Sequence, residues 1–134
     1  MLSRIDQELN VSETALGLRA YRQELLASNI ANADTPHFKA RDFTFKSNLD
    51  AALGKTPAGQ LPLTQTDAGH LAAQGGNRYG ASLQYRTDYQ SSVDGNTVNM
   101  DVERGAFAEN ALHMESLLSF VRDKFKELNL AVQP

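Results

Sequence analysis

The pattern with the strongest hold on the fold lies in the last third of the chain. Phe107, Ala111, Met114, Leu118, Val121, Phe125, Leu128 and Val132 follow one another in alternating steps of four and three, with no polar interruption. That spacing is a coiled-coil seam, and it predicts a helix from about Met100 to Leu130 with one apolar edge. Leu112, Phe120 and Leu130 fall outside the edge, Phe120 lying about 200° around the helix from Leu118. The helix therefore carries apolar groups that face away from its main partner. Asn99 is the expected N-cap, with Asp101 and Glu103 complementing the helix dipole in the first turn.

A second helical pattern runs from about Ser3 to Ala33, opened by Ser3 three residues before Asp6, a weak capping-box signature. One apolar stripe is Val11, Leu18, Tyr21 and Leu25, and another is Leu9, Leu16, Ala27 and Ile30. The stripes lie on nearly opposite sides, since Leu16 and Leu18 are about 200° apart. Such a helix expects contacts on both faces. Two long helices separated by a weaker centre most simply form an antiparallel pair. The expected fold is mainly α, with the two terminal helices packed as a coiled-coil-like hairpin and a loop-rich centre containing short extended segments. Residues 1–36 and 97–134 would form the helical core, and 37–96 the central region. A lone helix pair is marginal against the entropy of ordering both helices. Either further chains supply the missing contacts, or the middle segment acts as a third layer.

The centre reads in pieces. Phe43 and Phe45 alternate with polar residues and suit a short strand, whereas Phe45 through Leu53 also suits one or two helical turns. Residues 54–80 are rich in Gly, Ala, Gln, Thr and Pro and read as a flexible or surface-draped connection. Gly75-Gly76-Asn77 is a turn signal without the lysine or following helix of a phosphate-binding loop. Leu83, Tyr85, Thr87 and Tyr89 alternate with polar residues as an extended segment, and Asp94-Gly95-Asn96 makes a turn.

Composition narrows the chemistry. A formal charge of −3 with both signs interspersed carries no nucleic-acid footprint. The absence of cysteine excludes disulfides and thiolate metal sites. Neither an apolar leader nor a run long enough for direct membrane insertion is present, so the reading is of a chain that stays in the cytosol or leaves by an uncleaved signal. His37, His70 and His113 are widely separated and lack a second ligand at i+3 or i+4, and Asp34, His37 and Asp42 have no accompanying nucleophile. Asp94, Asn96 and Asp101 have the wrong order and spacing for a calcium loop. No catalytic, cofactor or metal site is expected.

The first helix ends in Leu26-Ala27-Ser28-Asn29-Ile30-Ala31-Asn32-Ala33-Asp34-Thr35-Pro36, where Asp34-Thr35-Pro36 stops the helical pattern. This stretch resembles the N-terminal signature of the bacterial flagellar axial proteins of rod and hook. Its continuation Phe38-Lys39-Ala40-Arg41-Asp42-Phe43 and the later run from Asp94 to Glu103 are similar to those of the proximal rod. The signature residues are Asn29, Ile30, Asn32, Thr35 and Pro36. His37 stands where that pattern usually has glycine, and is expected to avoid the positive φ that glycine tolerates.

The resemblance implies a non-enzymatic structural subunit of the periplasmic rod, whose terminal helices assemble helically, transmit torque and surround an export channel. It implies self-association, neighbours such as the adaptor FliE and the rod proteins FlgC and FlgF, and passage through the flagellar type III export apparatus without a cleaved signal. Leu18, Tyr21, Leu25, Phe107, Met114, Leu118, Val121, Phe125 and Leu128 would form the assembly seam. Phe45 and Leu49 fit a short export motif, and Asn29 and Asn32 would act as register devices, hydrogen-bonding to a neighbouring helix or to the turn before the last one. The alternative is a soluble helical adaptor or export-chaperone-like protein.

Overall fold

A computed structural model describes residues 2–54, 81–86 and 92–133. The elements are α1 (Leu2–Ala31), β1 (Arg41–Asp42), α2 (Phe45–Ala52), β2 (Gln84–Tyr85) and α3 (Met100–Val132). The two long terminal helices pack against each other, and the centre between them is loop-rich with little strand. The readings of residues 55–80, of Gly75-Gly76-Asn77 and of Thr87 and Tyr89 fall outside the described residues, as does His70.

Helix α1 runs over about the length its pattern predicts, and α3 starts where Asn99 caps it: the side-chain Oδ1 of Asn99 accepts from the Asp101 and Val102 N–H groups. After α1 the chain turns through Asp34-Thr35-Pro36, forms β1, and enters α2 at Phe45. Of the two readings of the Phe43–Leu53 region the helical one holds, with α2 starting at Phe45, whereas the strand lies just before Phe43 and includes neither Phe43 nor Phe45. Strand β1 pairs antiparallel with β2, Arg41 opposite Tyr85 and Asp42 opposite Gln84.

The two faces of α1 have different partners inside the chain. One face carries Leu18, Tyr21 and Leu25 against Phe43, Phe45, Leu49, Ala81 and Leu83, with Tyr21 and Phe43 stacked at a centroid distance of 5.8 Å. The other meets α3. The stripe that the central segment covers is thus that of Leu18, Tyr21 and Leu25, while of the other stripe Leu9, Leu16 and Ile30 are half-buried and Ala27 is exposed.

The face of α3 turned inward differs from the uninterrupted apolar seam. Its fully buried residues are Glu103 and Asn110, followed along the helix by half-buried Met114, Leu117, Val121, Lys124 and Leu128. Leu118 and Phe125, two members of the heptad row, are 44% and 52% exposed. The row and the inward face share some positions, but the helix is rotated so that polar anchors sit at the contact and three of the eight row residues, Leu118, Phe125 and Val132, sit outside it. Asn110 explains part of that rotation, since its Nδ2 donates to the Arg19 carbonyl oxygen at 2.9 Å and to Gln23 Oε1 at 2.6 Å. Its Oδ1 accepts from Arg19 Nη1 at 3.3 Å. A buried amide has to find partners, and these exist at only one alignment of the helices.

Leu18 is fully buried and Leu112 is 67% exposed. Urea unfolding followed by circular dichroism should show Leu18→Ala losing about 2–5 kcal/mol, and Leu112→Ala changing stability by no more than about 0.5 kcal/mol.

Candidate functional site

The signature segments, 52 residues apart from Asp42 to Asp94 in sequence, come together beside the end of α1. Asn29 is 1% exposed and is used completely. Its Nδ2 donates to the Arg41 carbonyl oxygen at 2.8 Å and to Glu103 Oε2 at 3.1 Å, and its Oδ1 accepts from the Arg41 N–H at 3.1 Å. One side chain thereby joins α1, β1 and α3. All of these bonds lie within one chain. Asn32 stays local: its Nδ2 donates to the Ser28 carbonyl oxygen, and its Oδ1 accepts from the Thr35 hydroxyl.

Glu103 is also 1% exposed, and a buried carboxylate is costly unless it is paired and hydrogen-bonded. Arg86 Nη1 meets its Oε1 at 2.9 Å, while Arg86 Nη2 meets Asp42 Oδ2 at 2.6 Å. Arg22 grips Asp42 in bidentate fashion, both contacts 2.9 Å. The result is a line of alternating charge, Arg22, Asp42, Arg86, Glu103, crossing from α1 through β1 and the residue after β2 to α3. Burial on its own would push the Asp42 carboxyl up, but hydrogen bonds from Arg22, Arg86 and the Phe43 N–H outweigh it and hold the group below its ordinary range. The Asp42 hydrogen bond raises Arg22 against the opposing effect of burial. Arg19, by contrast, is lowered by burial and by the neighbouring Arg22 charge.

A second knot holds the turn before α3. Asn96 is 4% exposed, and its Nδ2 faces the carbonyl oxygens of Asn32, Ala33 and Thr35 at 2.8 to 3.0 Å. These carbonyls lie in the turn just after α1, so Asn96 ties that turn to the approach to α3. The Thr97 N–H donates to the Phe38 carbonyl oxygen, the Thr97 hydroxyl accepts from the Ala40 N–H, and Lys39 Nζ donates to the Gly95 carbonyl oxygen.

His37 overturns the expectation made for it. Its φ is +61°, the one positive value at a non-glycine among the described residues. Histidine is among the residues that enter this region more readily than most, and the His37 N–H is held by the Asp94 carbonyl oxygen at 3.0 Å. Gly95, with φ +75°, makes the space: a Cβ there would lie 2.9 Å from His37 Nδ1.

The other predicted residues fall into groups. Leu18 and Leu25 are buried, Tyr21, Phe45 and Leu49 half-buried around them, and Ile30 half-buried near the end of α1. Thr35 and Pro36 are exposed in the turn. Phe107, Met114, Val121 and Leu128 are half-buried, and Leu118 and Phe125 are exposed. Sequence reasoning passed over Arg22, Arg86, Asn96 and Asn110, whose roles depend on contacts far along the chain. Among the described residues no group of three or more His, Cys, Asp or Glu comes together to hold a metal ion, and no helix is long and apolar enough to cross a membrane.

The sequence is similar to those of known proteins. A family model described as flagella basal body rod protein matches residues 9–39, covering most of α1 and the turn that follows. The chain is 44% identical over 135 residues to flagellar basal body rod protein FlgB of Escherichia coli (strain K12), spanning 99% of this chain and 98% of that one. It is 41% identical over the same length to FlgB of Proteus mirabilis (strain HI4320), with the same coverage. Identity to FlgB of Cereibacter sphaeroides (strain ATCC 17029 / ATH 2.4.9) is 43% over 126 residues, 94% of each chain. A helix pair locked by buried polar side chains and open along its apolar flanks describes a structural protein of assembly type. By its relatedness along the whole chain, the protein belongs to the family of flagellar basal body rod proteins called FlgB.

Two measurements test the site. Gly95→Ala should destabilise by about 1–3 kcal/mol, from the positive φ and the close approach to His37. In a double-mutant cycle His37→Gly should recover part of that loss, because the ring in the way is gone. The second is the pH dependence. The folded value of Asp42 lies below the ordinary 3.8, so its contribution is fully present above that value and is lost as pH falls through the lower folded value. Wild-type stability should drop in that acid window, and Asp42→Asn, less stable at neutral pH by about 1–3 kcal/mol, should show a shallower drop.

Proposed function

We propose that the chain is a structural subunit of the bacterial flagellar basal-body rod. The observation that carries the reading is identity above 40% to FlgB proteins over nearly the full length. It is joined to a helix pair whose long C-terminal member leaves Leu118, Phe125 and Val132 uncovered. Long helices packed at crystal-like density resist bending and twisting, which suits a part that transmits torque around an export channel. Its work is mechanical rather than catalytic.

The terminal segments 1–36 and 97–134 act as the core that assembles, and 37–96 as the central region, whose Phe43, Phe45, Leu49, Ala81 and Leu83 brace α1. Its neighbours in the rod are further copies of itself, the rod proteins FlgC and FlgF, and the adaptor FliE. The chain reaches the periplasmic part of the basal body through the flagellar type III export apparatus, without a cleaved signal. Phe45 and Leu49, one turn apart on α2 and half-buried in the folded chain, serve as the export motif before folding. Asn29 and Asn32 maintain register, Asn29 by fixing α3 against α1 and so setting the surfaces that neighbours meet.

In a flagellated strain deleted for its own FlgB, expression of this chain should restore swimming and place it in purified basal bodies. A strain that swims while the chain is missing from its basal bodies would refute the assignment.

A further inference from the structure

Two apolar surfaces lie on opposite flanks of the α1/α3 pair. The first is the row Leu118, Phe125 and Val132 on α3, 44%, 52% and 82% exposed. The second is a groove between the helices on the flank of α2. It consists of adjoining cavities of about 290 and 500 Å³ that share Ser12 and Phe120 as walls. Its floor and sides include Leu9, Val11, Leu49, Leu117 and Leu128. Leu118 and Phe120 are about 160° apart by the shorter way around α3, so row and groove point away from each other.

Their dimensions agree. The row spans 118 to 132, and the α1 wall of the groove spans 5 to 19. At about 1.5 Å per residue, each is about 21 Å long. A row with a seven-residue repeat suits insertion between two helices, each knob entering the space between side chains of the wall. Charge agrees as well. On the row's flank, Glu115 lies before Leu118 and Arg122 between Leu118 and Phe125; neither has an ion pair among the described residues. In the groove, the end nearer the start of α3 presents Arg19, and the other end Glu8 together with Lys124 and Glu127, which pair with each other at 3.3 Å and leave Glu8 as the charge without an ion pair there among the described residues. The Arg19 guanidinium lies 3.8 Å over the Phe45 ring, and its Nε has no hydrogen-bond partner among the described residues. With two copies side by side and parallel, Glu115 faces Arg19, and Arg122 faces Glu8. The antiparallel arrangement sets Glu115 against Glu8 and Arg122 against Arg19.

We infer that the groove receives the Leu118, Phe125 and Val132 row of a second copy of this chain, in parallel orientation. This rests on the rod-subunit reading and adds to it which face of one copy meets which face of the next. Because donor and acceptor are different surfaces, the contact is heterologous and leaves a free groove at one side and a free row at the other. Addition can therefore continue around and along an assembly.

The chain has no cysteine, so introduced pairs report only themselves. Two differently tagged copies, one Phe125→Cys and one Glu8→Cys, would be co-expressed in the deletion strain and oxidised in purified basal bodies. A second pair, Leu118→Cys with Val11→Cys, guards against one substitution failing to incorporate. The expected product in either pair is a dimer carrying both tags, at least tenfold above dimers carrying one tag twice. Dimers of Phe125→Cys with itself would show two rows meeting face to face and overturn the inference. So would basal bodies that contain the chains of both pairs and yield no mixed dimer, an outcome that leaves the rod assignment standing. Basal bodies that lack wild-type chain would instead refute the assignment, and the inference with it.

Discussion

The structure depends on how the Glu103 carboxylate is kept inside. A charge at 1% exposure in a helix contact is tolerated only when its partners are fixed in place. Here they are the Arg86 guanidinium from beyond β2 and the Asn29 amide from α1. Arg86 can reach Glu103 because Asp42 steadies its other nitrogen, and Asp42 is steadied by the fork of Arg22. Remove any member and the next is left as a buried or half-buried charge with an empty side. A purely apolar contact of the same shape would hold the helices together, but it would permit sliding by a turn. The directional bonds of Asn29 and Asn110 permit only one alignment.

From that alignment follow the positions of the smaller elements. Asn29 bonds both backbone groups of Arg41, so the short strand β1 is hung on the end of α1 more than on its two-residue partner strand. Asn96 ties the other crossing, and its amide lies within reach of three carbonyls at once because the turn after α1 gathers those of Asn32, Ala33 and Thr35 around it. The positive φ of His37 belongs to the same knot. It turns the chain so that the His37 N–H meets Asp94, and glycine at 95 is required because a side chain there would occupy the space of the imidazole.

Much of this was legible in the sequence, and the failures have physical causes. The two helices, the Asn99 cap and the turn at Asp94-Gly95-Asn96 are local signals, readable from spacing and capping chemistry. The two-sidedness of α1 was legible too, although its second partner proved to be the chain's own centre. Periodicity failed on α3. A four-three row marks the most apolar edge of a helix, whereas the inward face is chosen by whatever the partner helix presents, and α1 presents Arg19, Gln23 and Asn29. Glu103 looked like a dipole partner in the first turn; only the pairing of α3 with Asn29 and Arg86 makes it a buried ion. His37 was misjudged because a propensity was applied without knowing that Gly95 would stand opposite.

With Glu103 and Asn110 inside and Leu118, Phe125 and Val132 outside, α3 reverses at these positions what a free amphipathic helix shows. The reversal has a consistent logic. Contacts within one chain form once and must form correctly, and directional bonds from Asn29, Asn110 and Glu103 ensure that at modest net gain. Contacts between copies must gain from area, since association loses translational and rotational freedom that a few hydrogen bonds exposed to water do not recover. Exposed Leu118, Phe125 and Val132 supply such area along one flank, and the groove beside Phe120 offers a matching surface along the other. The polar line inside the subunit keeps both flanks at a fixed angle. A rod assembled from such parts derives its stiffness from the same four charged side chains that hold a single copy in shape.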